Sequence, residues 1–191
     1  MFRRPRRPLP PRYVVTNTTA IDGVTRANQL MANGQPQQAA ELFMQLAREM
    51  QEAGRPRQAA NFHAQAAHAW LDAGVKEQAL SQSSLALRLF ASQGMWERAG
   101  HFKVNFIAHL RRTGGESASA AVEGEYNALA NTAGINPQVA ARAGIKRGSL
   151  PANCPHCGAP LRSDTVDWID AVSAECGFCG GTVVTSKPES A

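Results

Sequence analysis

The last forty residues of this 191-residue chain contain all four of its cysteines, arranged as two C-x-x-C pairs. The pairs are Cys154–Cys157 and Cys176–Cys179, with 18 residues between them. Two thiolates three positions apart can grip one ion, and two such pairs at this spacing are typical of a four-cysteine zinc site. Gly158 and Gly180 directly follow each pair and permit the tight turn that the loop needs. We therefore predict one metal ion with four ligands: Cys154, Cys157, Cys176 and Cys179.

The segments around these cysteines alternate polar and apolar residues at 165–168 and 172–175, and a third apolar run covers 182–184. This pattern predicts three short strands. With its two C-x-x-C-G loops, the stretch 153–186 resembles a zinc ribbon, and the resemblance implies a small β module built around Zn²⁺. Four cysteines leave no coordination position for water, so we expect the zinc to be structural. It would supply most of the folding energy of so small a module, independently of the rest of the chain.

Other chemistries for the cysteines stay open at this stage. Iron in a rubredoxin-like site uses the same four thiolates. Disulfides would need an oxidising compartment, and the chain begins with no secretory signal. A redox C-x-x-C would need a thioredoxin-like βαβ context, which the pattern does not indicate. His156 lies inside the first pair, and we interpret it as an exposed loop residue because four cysteines already complete the ligand set.

The region ahead of this module is organised by a glycine register. Glycines recur every twenty residues, at Gly34, Gly54, Gly74, Gly94, Gly114 and Gly134. An alanine follows five residues after each of the first four of these glycines. Between the glycines, apolar residues recur at steps of three and four, which predicts one amphipathic helix of roughly 16 residues per unit. Internal repetition of this kind indicates stacked antiparallel helices.

The stretch ANQLMANGQPQQAAELF at 27–43 resembles tetratricopeptide-type repeats, in which a helix ends at Gly and an Ala-containing helix follows. Two units give a 40-residue hairpin, closer to the longer repeats of the soluble NSF attachment protein type. The resemblance implies a protein-binding scaffold. We predict a mainly α fold, an antiparallel helical-repeat solenoid of five to six helices followed by the small β zinc ribbon. An up-and-down bundle of equal helices is the alternative.

The amino-acid composition divides the chain into five segments. Residues 1–17 form an arm that is rich in Arg and Pro, and the repeats occupy 18–134. A linker at 135–152 precedes the ribbon at 153–186, and 187–191 is a short tail. No stretch is long and apolar enough to span a membrane, so we expect a cytoplasmic protein. The formal net charge is +5, and the arm alone holds five arginines and no acid.

The sequence contains no P-loop, nucleophile elbow, zinc-protease motif or dinucleotide-binding motif. His63, His68, His101 and His109 lie on predicted helices at spacings that do not pair on one face, so we assign them no ligand role. We therefore expect a non-enzymatic scaffold or adaptor that binds a protein partner or peptide segment. The alternative is a nucleic-acid-associated factor that uses the arm and the ribbon. The scaffold is favoured because the residues from 154 onward hold two basic and five acidic side chains, which suits phosphate binding poorly.

If the helices pair from the first one onward, helices at 18–33, 56–73 and 96–113 line the concave side of the solenoid. Their polar side chains would then face the partner. On this pairing the groove residues are Asn61, Gln65, Lys103 and Asn105.

Overall fold

A computed structural model of the protein describes residues 17–136, 148–162, 166–168 and 172–185. The predicted arm lies almost wholly outside the described residues, and so do most of the linker and the tail. Six α-helices come first: α1 (Asn17–Ala32), α2 (Pro36–Glu52), α3 (Pro56–Asp72), α4 (Lys76–Ser92), α5 (Trp96–Arg112) and α6 (Glu116–Thr132). Three strands follow: β1 (Val166–Trp168), β2 (Ser173–Cys176) and β3 (Thr182–Val184). The predicted fold class, mainly helical with a small C-terminal β module, is confirmed.

The turn between helices explains the twenty-residue register. Each register glycine has a φ between 68° and 77°, a conformation that costs glycine little and other residues more. At the turn after α2, the N–H of Gly54 donates to the carbonyl of Gln51, and the N–H of Arg55 donates to that of Met50. This is the Schellman arrangement that closes a helix. The carbonyl of Arg55 also accepts the first bond of α3, from Ala59. Arg55 therefore both ends α2 and begins α3. A longer connection between the helices would break one of these hydrogen bonds.

Each helix packs on the next one in the chain, and α3 and α4 also contact α5 and α6, respectively. The alanines five residues after the glycines are at most 1% exposed, which allows neighbouring helices to approach closely. Large side chains fill the rest of the core, each at most 3% exposed: Phe43, Phe62, Phe90, Phe106 and Tyr126. Burying one such side chain contributes roughly 1.5–3 kcal/mol. Packing of these rings, rather than intrinsic helix propensity, therefore holds the array together.

The three strands form one antiparallel sheet in the order β1-β2-β3. Cys176 ends β2 opposite Val166 of β1, while Ala174 pairs with Val183 of β3. Because side chains alternate across a strand, Ala174 and Cys176 are both buried on the same face. The sheet thus presents one metal-site cysteine directly from a strand end. Among the described helices, none has the length and apolar character that crossing a bilayer requires.

The C-terminal module is not separate from the helices. Its buried residues, including Phe178, Leu161 and the four cysteines, belong to the same hydrophobic core as the helical array. The module therefore packs against the helical array, and its independent folding stays a prediction. A linker of polar composition predicts separate units, but the contacts are made by residues far from it.

Candidate metal centre and the adjoining cleft

The four predicted ligands come together at one point. All four Sγ atoms lie within 4.8 Å of one another, and all four residues are buried. Cys154 and Cys179 are separated by 3.8 Å between sulfurs, and Cys157 and Cys176 by 3.9 Å. Four sulfurs about 2.3 Å from a tetrahedral Zn²⁺ would lie ~3.8 Å apart. A disulfide needs about 2.0 Å between sulfurs, so the cysteines are free thiols arranged as a metal-ligand set.

The two loops that carry the cysteines have the same backbone design. Gly158 and Gly180 have φ values of 70° and 73°, and their N–H groups donate to the carbonyls of Cys154 and Cys176. The turn then brings other amides towards sulfur. The N–H of Gly181 lies 3.4 Å from Sγ of Cys179. Such N–H···S contacts stabilise thiolates, so the backbone is arranged for charged ligands.

The closeness of the sulfurs also shifts the pKa values of the Cys157 and Cys176 thiols. Hydrogen bonds from the thiols of Cys157 and Cys179 lower the pKa of Cys176 to about 2. The same pairing with Cys176 is the main cause that raises the pKa of Cys157. Because a metal ion binds the thiolate form of cysteine, metal binding at this site would release protons, and acid would compete with it.

His156 lies outside the ligand set. Its side chain is exposed at the surface of the first loop, and Nε2 donates to the carbonyl of Thr182 at 3.1 Å. The imidazole therefore links the first cysteine loop to β3. This agrees with the interpretation of His156 as a loop residue that does not bind the metal.

Side chains of the helices hold both cysteine loops, which the sequence did not indicate. The hydroxyl of Thr25 in α1 lies 3.0 Å from the carbonyl oxygen of Cys157. The side-chain amide of Asn61 in α3 donates to the carbonyl of Gly177 at 2.6 Å. Beside this bond, the Phe178 ring packs on Phe62 with 6.1 Å between centroids. The module thus lies on the side of the array formed by α1 and α3.

A cleft of about 330 Å³ remains between α3, α5 and the C-terminal module. The helices contribute most of its polar and aromatic groups, and the module contributes Pro160, Arg162 and Phe178. The full lining is Asn61, Ala64, Gln65, His68, Phe90, Arg98, Phe102, Asn105, Pro160, Arg162 and Phe178. The cleft is therefore a composite of the helical array and the C-terminal module.

The four predicted groove residues have different surroundings in the structure. Gln65 and Asn105 line the cleft. Asn61 also reaches it, but the residue is 7% exposed and its amide binds Gly177. Lys103 lies elsewhere: its ammonium is 3.8 Å from Glu123 and 4.6 Å from the centre of the Tyr126 ring, both on α6. Lys103 and Asn105 therefore lie on different faces of α5, because residues two apart on a helix are separated by about 200° around its axis.

Two histidines that the sequence analysis set aside form a pair between helices. Nδ1 of His68 in α3 lies 3.4 Å from Nδ1 of His109 in α5, and Nε2 of His109 lies 3.1 Å from the carboxylate of Asp72. The rings are nearly parallel, at 16°. Burial lowers the pKa of His68 to about 4, with further lowering by the nearby charges of His109, Arg162 and Arg112. His68 is therefore neutral at pH 7 where it lines the cleft.

The register contained a signal for this pair. Residues on α3 and α5 that face each other should be separated by about two repeat units, since these helices are neighbours in the array. His68 and His109 are 41 residues apart, and so are the hydrogen-bonded Ser84 and Glu125 of α4 and α6. A search for chemically matched residues at this spacing would have found both pairs.

Comparison of the chain with protein families, with curated proteins and with solved structures finds no match.

Proposed function

We propose that Cys154, Cys157, Cys176 and Cys179 bind one structural Zn²⁺ and that residues 153–186 are a zinc ribbon. The sulfur separations near 3.8 Å and the two glycine turns support this assignment. Elemental analysis of freshly purified, reduced protein should find about one zinc per chain. Iron would reveal itself by strong visible absorption in the oxidised protein, and a metal-free, folded protein would contradict the assignment altogether.

We further propose that the protein is a non-enzymatic interaction scaffold. On this proposal the six helices are tetratricopeptide-like repeats, and the cleft between α3, α5 and the ribbon receives an extended segment of a partner protein. The observation that carries the proposal is the lining of the cleft, where polar side chains converge beside aromatic rings. Clefts of this composition are typical of binding sites.

The chemistry of the lining suits a peptide. The side-chain amides of Gln65 and Asn105 can each donate and accept, as a peptide backbone requires. Phe90, Phe102 and Phe178 offer contact area for an apolar or aromatic side chain. The neutral imidazole of His68 adds a further hydrogen-bonding group. The partner segment should therefore be extended and should place an apolar or aromatic side chain against the rings.

The same lining supports binding rather than catalysis. The eleven described residues around the cleft include no Ser, Thr, Cys, Lys, Asp or Glu. His68 is the remaining candidate for proton transfer, and a pKa of about 4 makes it a weak base at pH 7. The zinc would have four protein ligands and no position for a substrate.

Cross-linking mass spectrometry on affinity-purified, full-length protein tests the proposal. A partner peptide should cross-link to residues around the cleft. Its recovery should fall in a Gln65→Ala/Asn105→Ala variant but not in a Gln45→Ala/Gln78→Ala control, which changes exposed amides on α2 and α4. Equal recovery with both variants would contradict binding in the cleft. Recovery of nucleic acid that is lost as salt rises would favour the nucleic-acid-associated alternative.

A further inference from the structure

Each of the two cysteine loops is held by a side chain from a different helix. Thr25 of α1 is 132 residues before Cys157, and Asn61 of α3 is 116 residues before Gly177. Both side chains reach a backbone carbonyl of a loop, and neither reaches a sulfur. The helices therefore control where each loop lies without competing with the metal for the ligands.

The two contacts differ in strength. Asn61 is 7% exposed and makes a short, 2.6 Å bond in a region that excludes water, beside the packed rings of Phe62 and Phe178. The hydroxyl of Thr25 lies 3.0 Å from Cys157 and also 3.0 Å from the carbonyl of Ile21, one turn earlier in α1. Its single proton is shared between two acceptors, so each bond is weaker. Asn61 should consequently matter more than Thr25.

The loops need this support because each is anchored to a different piece of backbone. The second loop follows β2 and is fixed by the sheet. The first is closed by its own small bridge between Asn153 and Pro160. Among the described residues, His156 and Thr182 make a direct hydrogen bond between the two pieces, and that bond is exposed. A tetrahedral site requires two sulfurs from each piece at fixed distances, so the relative position of the pieces limits affinity for the metal.

We propose that α1 and α3 are part of the metal site, with Thr25 and Asn61 as positioning residues, so that metal binding and the stability of the helical array are linked. The inference rests on the proposed zinc site with four cysteine ligands. Linkage is reciprocal: if the array raises the affinity for metal, the metal must stabilise the array by the same free energy. Because the ribbon also forms one wall of the cleft, loss of the metal would disturb that wall.

The test is a titration of reduced, metal-free, full-length protein with Co²⁺, followed by competition with Zn²⁺. Side chains that hydrogen-bond the ligating groups themselves contribute about 10- to 100-fold to metal affinity. Asn61 and Thr25 bond the loop backbone instead, so Asn61→Leu should weaken Co²⁺ binding about 10-fold, at the lower end of that range, and Thr25→Val less. Thr132→Val is the matched control, because Thr132 makes the same bond to a carbonyl one turn earlier in α6. The control should bind Co²⁺ like the wild type, and circular dichroism checks that each variant is helical.

A thermal melt of the wild-type helices supplies the second measurement. Saturating zinc should raise the midpoint of the helical transition. An unchanged midpoint, or wild-type Co²⁺ affinity in folded Asn61→Leu, would overturn the linkage. If the wild type itself binds neither Co²⁺ nor Zn²⁺, the zinc site fails instead, so the two failures are distinguishable.

Discussion

His68 and His109 meet nitrogen to nitrogen across the boundary between α3 and α5, 3.4 Å apart. The ring centres are 5.7 Å apart. This distance is about the 3.4 Å between the two nitrogens plus one ring radius on each side, so both nitrogens lie close to the line that joins the ring centres. One hydrogen fits between the two nitrogens. Because the carboxylate of Asp72 is an acceptor and lies 3.1 Å from Nε2 of His109, that nitrogen carries a hydrogen. The ring of His109 is thereby held between Asp72 and His68.

This pair makes stability depend on pH. The folded-state pKa of His68 is about 4, below the ordinary value of 6.5, so the unfolded chain binds the extra proton first. The contribution of neutral His68 to the free energy of unfolding is complete above pH 6.5. It is lost as the pH falls towards 4, and the loss is at most about 3 kcal/mol. Burial also lowers the pKa of His63, so this residue acts in the same direction. Urea unfolding between pH 7 and pH 4 measures the free energy.

The ionisable groups around His68 are His109 and Arg112 of α5, Arg162 of the C-terminal module, and Asp72 through His109. A His68→Gln variant keeps a polar side chain but cannot titrate. Its free energy of unfolding should fall less steeply than that of the wild type over the same range. Since any loss of bound metal in acid would affect both proteins alike, the difference between them isolates His68. Parallel curves would contradict the assignment.

Phe106 tests the core of the array. The side chain is 0% exposed, and its ring stacks on Phe102 with 5.4 Å between centroids. Phe106→Ala should lower the free energy of unfolding by roughly 3–5 kcal/mol, because it removes apolar burial and leaves a cavity. Val104 lies on the same helix but is 57% exposed. Val104→Ala should therefore change stability by no more than about 0.5 kcal/mol in denaturant titrations.

Gly54 and Gly124 both have open surroundings, so substitutions there test backbone conformation without an effect of packing. A Cβ at Gly54 or at Gly124 would meet no atom within 4 Å. Gly54 has a φ of 70°, so Gly54→Ala should destabilise the protein by about 1–2 kcal/mol. Gly124 lies within α6. There, Gly124→Ala should stabilise by about 0.5–1 kcal/mol, because alanine favours the helix. Thermal melts that move in the same direction for both variants would contradict the turn geometry.

The sequence was sufficient for features that depend on neighbours along the chain. The glycine register predicted the helices between Gly34 and Gly114, because a Schellman turn and the next helix start share one residue, as at Arg55. The four cysteines were predicted as one cluster, because each pair lies within a single tight loop. The strands followed from alternation within three or four residues. In each case the physical cause is local, so it leaves a pattern with a fixed period.

The docking of the C-terminal module on the helices leaves no such pattern in the sequence. Asn61 and Phe178 look like ordinary polar and apolar residues, and their contacts connect positions more than a hundred residues apart. These contacts do not repeat along the chain, so no period marks them. For the same reason Asn61 was expected to face a partner, whereas its amide binds the backbone of the ribbon.

Gly181 provides the sharpest test of the metal loops. A Cβ at this position would lie 2.6 Å from Cδ2 of His156 and 3.3 Å from Sγ of Cys179. Gly181→Ala should therefore push the imidazole away from Thr182, strain the second loop and weaken Zn²⁺ binding in competition titrations. A His156→Ala/Gly181→Ala double variant removes the first clash and leaves the contact with sulfur. It should recover part of the affinity, while His156→Ala alone should cost only the exposed bond to Thr182. Additive losses in this double-mutant cycle would show that the two residues do not touch, and the described geometry of the loops would then be wrong.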